Sequence, residues 1–250
     1  MASAVVGYSR DMHLPTARGP LTEELFAALR SGSEDFFTVL AAAPTATGDD
    51  AALALWALHE LQYRGFAEVD DALEWEPQLL RVRSVLERDL EARLRSRFTP
   101  PQGLSFAEDF FGWVDEQDGV SLARHVHRDA DREQVEELLR VRSVYHLKEA
   151  DPVAWLVPRL GVRAKAALVE LQYDEYGGGD PNRLHHHLFE LGLAASGLDA
   201  SYGAHVDLAP LEVLEQNNAL SMLGLYRRLR GAALGHLAAF EATSSLPSRR

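Results

Sequence analysis

The chain has 250 residues, 25 basic against 38 acidic side chains for a net charge of −13, and no cysteine. The missing cysteine excludes a disulfide scaffold, a zinc ribbon, an iron–sulfur cluster and a thiol nucleophile, and the acidic balance argues against a nucleic-acid partner. No apolar run is long enough to span a membrane, and the first ten residues hold no export signal, so a cytoplasmic location without a membrane partner is expected.

Leucine (39) and alanine (35) dominate and both favour helix, so an all-α protein is expected. Thr22 before Glu23 and Glu24 opens a first helix with an acidic turn, and Leu25, Phe26 and Leu29 form its stripe. Ser33-Glu34-Asp35 opens a second helix through Leu40. Asp49-Asp50 starts a third, which Gly65 stops. Gln78 to Phe98 is a long amphipathic segment carrying Leu79, Val82, Val85, Leu86 and Leu90. The stretch from Phe98 to Gly103, with Pro100 and Pro101, reads as a linker. It divides a variable helical region, 1–100, from a core region, 104–250.

Beyond the linker, Ser105 and Glu108 have the spacing of a capping box. The aromatic residues Phe110, Phe111 and Trp113 read as core. Residues 131–150 form a helix with Val135, Leu138, Leu139 and Val144 inside, terminated by Pro152. Another helix runs from Val162 to Tyr176 and is halted by Gly177-Gly178-Gly179. Pro181 suits the first position of the next, which reaches Gly197. The last segment, 211–243, is expected to bend near Gly231 and Gly235. The phrase Ala-Leu-x-Glu-Leu-Gln-Tyr occurs at 57–63 and again at 167–173, too few copies for a solenoid.

Several catalytic devices are absent from this sequence: a P-loop, a Gly-x-Ser-x-Gly elbow, a His-Glu-x-x-His zinc motif, and the Glu-x-x-His pair of ferritin-like di-iron bundles. What remains is a set of carboxylates and imidazoles in apolar company. Glu149, Glu175 and Glu241 each lie near a helix end, and His185 stands in the first turn of another. A glutamate buried alone would be costly, so each is paired, exposed or bound to a metal. Oxygen and imidazole donors suit iron; surface glutamates at polar helix ends are the plainer reading.

Three phrases carry a resemblance: Tyr-His-Leu-Lys-Glu-Ala-Asp-Pro (145–152), Val-Glu-Leu-Gln-Tyr-Asp-Glu-Tyr-Gly-Gly-Gly-Asp-Pro-Asn-Arg-Leu-His (169–185) and Phe-Glu-Ala-Thr-Ser-Ser-Leu-Pro-Ser-Arg-Arg (240–250). From about residue 141 onward the chain resembles the heme-oxygenase-like di-iron oxidases and oxygenases, the iron-containing redox enzymes. The spacing agrees: 26 residues from Glu149 to Glu175, 10 on to His185, and 56 more to Glu241. The resemblance implies a heme-oxygenase-like helical bundle without haem, Fe(II) in a di-iron centre, and O2 as co-substrate. Its substrate would be a small organic molecule, amino-acid-like or fatty-acid-like. Glu175 and His185 would hold one iron, Glu241 would bridge, and Glu149 would hold the other.

One departure stands out. The family's later His-x-x-x-Asp-x-x-His helix has no counterpart, so the bundle reads as C-terminally incomplete and the second iron site as short of ligands. A homodimer, or a segment supplied in trans, would complete it, and an apolar trough beside Glu175, His185 and Glu241 is expected. A mono-iron or inactive relative, and a helical binding or interaction protein, are the alternatives. Among neighbouring residues, His146 shares a face with Glu149 and reads as a support of that ligand. Glu170 and Glu60 read as substrate-side candidates, with Glu60 more plainly an ordinary helix residue paired to Arg64. Of His185-His186-His187, which point about 100° apart on a helix, His185 is favoured as the ligand.

Overall fold

A computed structural model describes residues 12–32, 39, 41, 43–99, 103, 108–116 and 121–245. Among these, helices and short 3-10 turns alternate with loops, and no strand is present. The chain is all-α, as its composition predicts. The second helix expected from Ser33, the linker prolines and Ser105 of the expected capping box lie outside the described residues.

Helix α1, Pro20–Ser31, starts with proline in its first turn and buries Leu21, Leu25, Phe26 and Leu29. Its N-terminus is capped from another helix. Asp50 accepts hydrogen bonds from the N–H groups of Leu21 and Thr22 at 2.9 and 2.8 Å, placing a carboxylate at the positive end of the helix dipole. Asp50 belongs to α2, Gly48–Glu60, which is buried on all sides from Ala51 to Glu60. Such a helix can only be central. It packs between α1, α3 (Pro77–Arg97) and α10 (Leu211–Leu225).

The C-terminal part contains α4 (Glu108–Asp115), α5 (Leu122–Arg128), α6 (Arg132–His146), the single turn α7 (Asp151–Ala154), α8 (Val162–Glu175), α9 (His185–Ala195) and α11 (Arg230–Ser245). Helix α10 also contacts α6, α7 and α11, and α9 packs on α6. One core joins Leu25, Trp56, Phe66 and Leu86 with Val144, Val206, Leu214 and Met222, from both sides of the Phe98–Gly103 stretch. No described helix is long and apolar enough to cross a membrane.

Four expectations are corrected. Helix α6 ends at His146, and Pro152 opens α7 instead of terminating the preceding helix, because a first turn needs no proline N–H. Pro181 begins a 3-10 turn, Pro181–Arg183, and α9 follows it. The C-terminal segment breaks at Tyr226, whose backbone is extended, while Gly231 and Gly235 lie inside α11. The break sits where α3 takes hold of the chain: Tyr226 donates to Glu87 at 2.6 Å and Arg228 grips Glu91 with two nitrogens. The aromatic group on α4 is only partly buried. Trp113 meets Phe98 edge-on and Phe110 at a tilt, but Phe111 is 52% exposed.

The core also holds a polar network that no sequence motif announces. His59 approaches Glu87 at 2.9 Å and Asn218 at 3.2 Å, and Asn218 donates to the Ala52 carbonyl at 2.8 Å. Shared bonds of this kind are what make buried polar groups tolerable.

Candidate metal centre

Two local devices bring distant donors together. The first is the turn at residues 147–150 between α6 and α7, which carries Glu149. Lys148 anchors it: the ammonium enters the core, 3.0 Å from Glu60 Oε2 and over the ring of Tyr63. Tyr202 donates to the other Glu60 oxygen at 2.8 Å. Helix α8 is stitched to the same turn, since Gln172 donates to the Ala150 carbonyl at 3.1 Å and Tyr176 to Asp151 at 3.0 Å.

The second device is the glycine turn after α8. Gly177 has φ +66°, and a Cβ there would sit 2.6 Å from the Arg183 carbonyl carbon. Only glycine permits that approach. The chain therefore doubles back and returns His185, the first residue of α9, to Glu175, the last of α8.

Glu149, Glu175 and His185 each offer one donor atom within 4.8 Å of the others. His185 Nδ1 stands 2.9 Å from Glu175 Oε2. The contact is an ion-pair approach without hydrogen-bond alignment, and that buried oxygen has no hydrogen-bond partner. An orphaned, buried carboxylate oxygen beside an imidazole and a second carboxylate fits a cation. Electrostatics point the same way. Burial, reinforced by the charge of Glu175, pushes the Glu149 carboxyl up to about 7. Burial also raises Glu175, with the charge of Glu241 adding to it against the pull of His185. Carboxylates this uncomfortable in the ionised form are relieved by a metal ion.

The remaining candidates are placed as follows. Glu241, on α11, is exposed, and its charge acts on Glu149, Glu175 and Tyr145. His146 ends α6; its Nδ1 bonds the Arg142 carbonyl at 3.0 Å, its ring stacks on Phe189, and Nε2 lies 3.9 Å from Glu149 Oε1. Burial lowers its pKa to about 4, so the ring is neutral. Glu170 is exposed on α8. Glu60 is wholly buried; Arg64 gives it a backbone N–H at 3.3 Å, while its charge partner is Lys148, not the Arg64 guanidinium. His187 pairs with Glu190. The apolar side chains of Tyr173 on α8 and Leu188 and Leu191 on α9 are exposed.

Sequence reasoning missed Lys148, although it is one of only two lysines and sits inside the phrase at 145–152. It also missed a cleft of about 370 Å³ lined by Gln62, Tyr63, Arg64, Asp151, Trp155 and Tyr176, among others.

No curated protein matches the chain. Residues 136–250, which contain all three clustered donors, match the family model described as iron-containing redox enzyme. Over that segment the chain is similar to the iron-containing redox enzymes.

Proposed function

We propose that the protein is a non-haem, Fe(II)- and O2-dependent oxidase or oxygenase of a small organic substrate. The observation that carries this reading is the convergence of Glu149, Glu175 and His185 around a buried carboxylate oxygen that lacks an aligned hydrogen bond, within a segment that matches a redox family. Glu149, Glu175 and His185 are the primary ligands, and Glu241 is the further carboxylate within electrostatic reach. Bound iron would supply O2 activation and electron transfer.

The protein's own groups do the rest. Burial raises the proton affinity of Glu149 and Glu175, so a metal ion that binds there competes with protons for both carboxylates. The cleft shares Asp151 and Tyr176 with the two chain segments that carry the ligands. Its volume suits a small molecule. There Arg64 is placed to pair with a carboxylate, while Tyr63 and Trp155 offer apolar walls.

The test is iron titration under argon, followed by metal analysis and O2 uptake in the presence of amino-acid and fatty-acid substrates. Glu175→Ala and His185→Ala are expected to lose iron; unchanged iron content in both would overturn the assignment. A mono-iron form is the second reading, favoured by the fact that the mutually close group has three donors, enough for one ion.

A further inference from the structure

We propose that His146 is itself a metal ligand, and that its Nε2 and the Glu149 carboxylate define a second ion position beside the one made by Glu175 and His185. This rests on the iron-binding reading above and adds to it a donor from outside the three-residue group.

The argument begins with the tautomer. His146 Nδ1 lies 3.0 Å from the Arg142 carbonyl oxygen, and a carbonyl can only accept. Nδ1 therefore carries the ring proton, and in the neutral ring Nε2 presents a lone pair. That lone pair is 3.9 Å from Glu149 Oε1, and no hydrogen bond reaches Nε2 among the described residues. Nε2 and Oε1 are thus two potential donors, largely buried and too far apart to bond each other directly, a gap that a cation can fill. With bonds of about 2.1 Å to nitrogen and oxygen, typical of a divalent first-row ion, one cation touches both.

The ring is also held as a ligand is held. Phe189 stacks on it with centroids 4.7 Å apart, and Tyr145 meets its edge at 5.1 Å. Donation of the far N–H to a backbone carbonyl is the arrangement that orients metal-bound histidines. His146 lies outside the group whose donors are mutually within 4.8 Å, so it serves a second ion, with the two oxygens of Glu149 shared between the positions.

The test is anaerobic Fe(II) loading with metal analysis, run on the wild type, His146→Ala and His146→Gln, with helicity checked by circular dichroism. Two irons per chain in the wild type and one in folded His146 variants supports the proposal. Two irons in the variants, or one iron in the wild type, overturns it while leaving the proposed function standing. No iron in the wild type overturns both. Should the variants fail to fold, Co(II)-loaded wild type decides by NMR. A strongly shifted His146 ring N–H signal supports ligation, and a signal at its ordinary position overturns it.

Discussion

Lys148 Nζ and Glu60 Oε2 meet 3.0 Å apart, and their side chains are 1% and 0% exposed. The pair links the end of central helix α2 to the turn bearing Glu149, so the position of a candidate metal ligand depends on the core of the N-terminal half. Removing one partner leaves a buried charge uncompensated, at about 3–5 kcal/mol. Lys148→Met and Glu60→Leu should each lose about that much in urea denaturation. The double variant should lose clearly less than the two losses added together. Additive losses would show that the pair does not act as a unit.

The Glu149 carboxyl is raised to about 7 from 4.5 by burial and by Glu175. A raised carboxyl binds more protons folded than unfolded, so its contribution is full below pH 4.5 and is lost as pH rises toward 7. Glu149→Gln, neutral throughout, should therefore stabilise the metal-free protein at pH 8, with the advantage fading by pH 4. Iron should raise the melting temperature of the wild type more than that of the variant. Thermal melts across pH, with and without Fe(II), check both signs.

Glu91 behaves oppositely. The Arg228 guanidinium, aided by Arg95 against a small burial effect, holds its carboxyl at about 2. A depressed carboxyl stabilises fully above pH 4.5, and this is lost as pH falls toward 2. Arg228→Gln should cost about 0.5–1 kcal/mol at pH 7, as expected for a partly exposed pair. The cost should shrink at pH 3. An equal cost at both pH values would show that the pairing does not govern it.

Gly177→Ala would drive a Cβ to 2.6 Å from the Arg183 carbonyl carbon in a left-handed conformation. It should displace His185, weaken iron binding at least tenfold, and lower stability by more than the about 1–2 kcal/mol of left-handed strain alone. Gly179 also has positive φ, +84°, but a Cβ there meets nothing within 4 Å. Gly179→Ala should show only the strain and keep its iron. Equal iron loss in both would refute the steric account.

The candidate site was legible only through the family resemblance, which implied Glu149, Glu175, His185 and Glu241; the structure brings donor atoms of the first three within 4.8 Å of one another. His146 was legible only as a neighbour, since its proton position depends on a hydrogen bond that residue order does not reveal.

By itself, the sequence determined the all-α class and most helix starts and stops, because these follow from local forces: apolar period, prolines in first turns, glycines after last ones. Tertiary structure alone decided what the elements are for. The repeated phrase places Glu60 and Glu170 in nearly identical local sequence, yet Glu60 is buried against Lys148 and Glu170 is in solvent. Likewise the final helix breaks at Tyr226 rather than at Gly231. A glycine weakens a helix by about 1 kcal/mol, whereas the bonds from Tyr226 to Glu87 and from Arg228 to Glu91 fix the chain to α3. Local propensity is a small, additive bias; a partner from a distant helix outweighs it wherever burial makes an unmet charge or hydrogen bond costly.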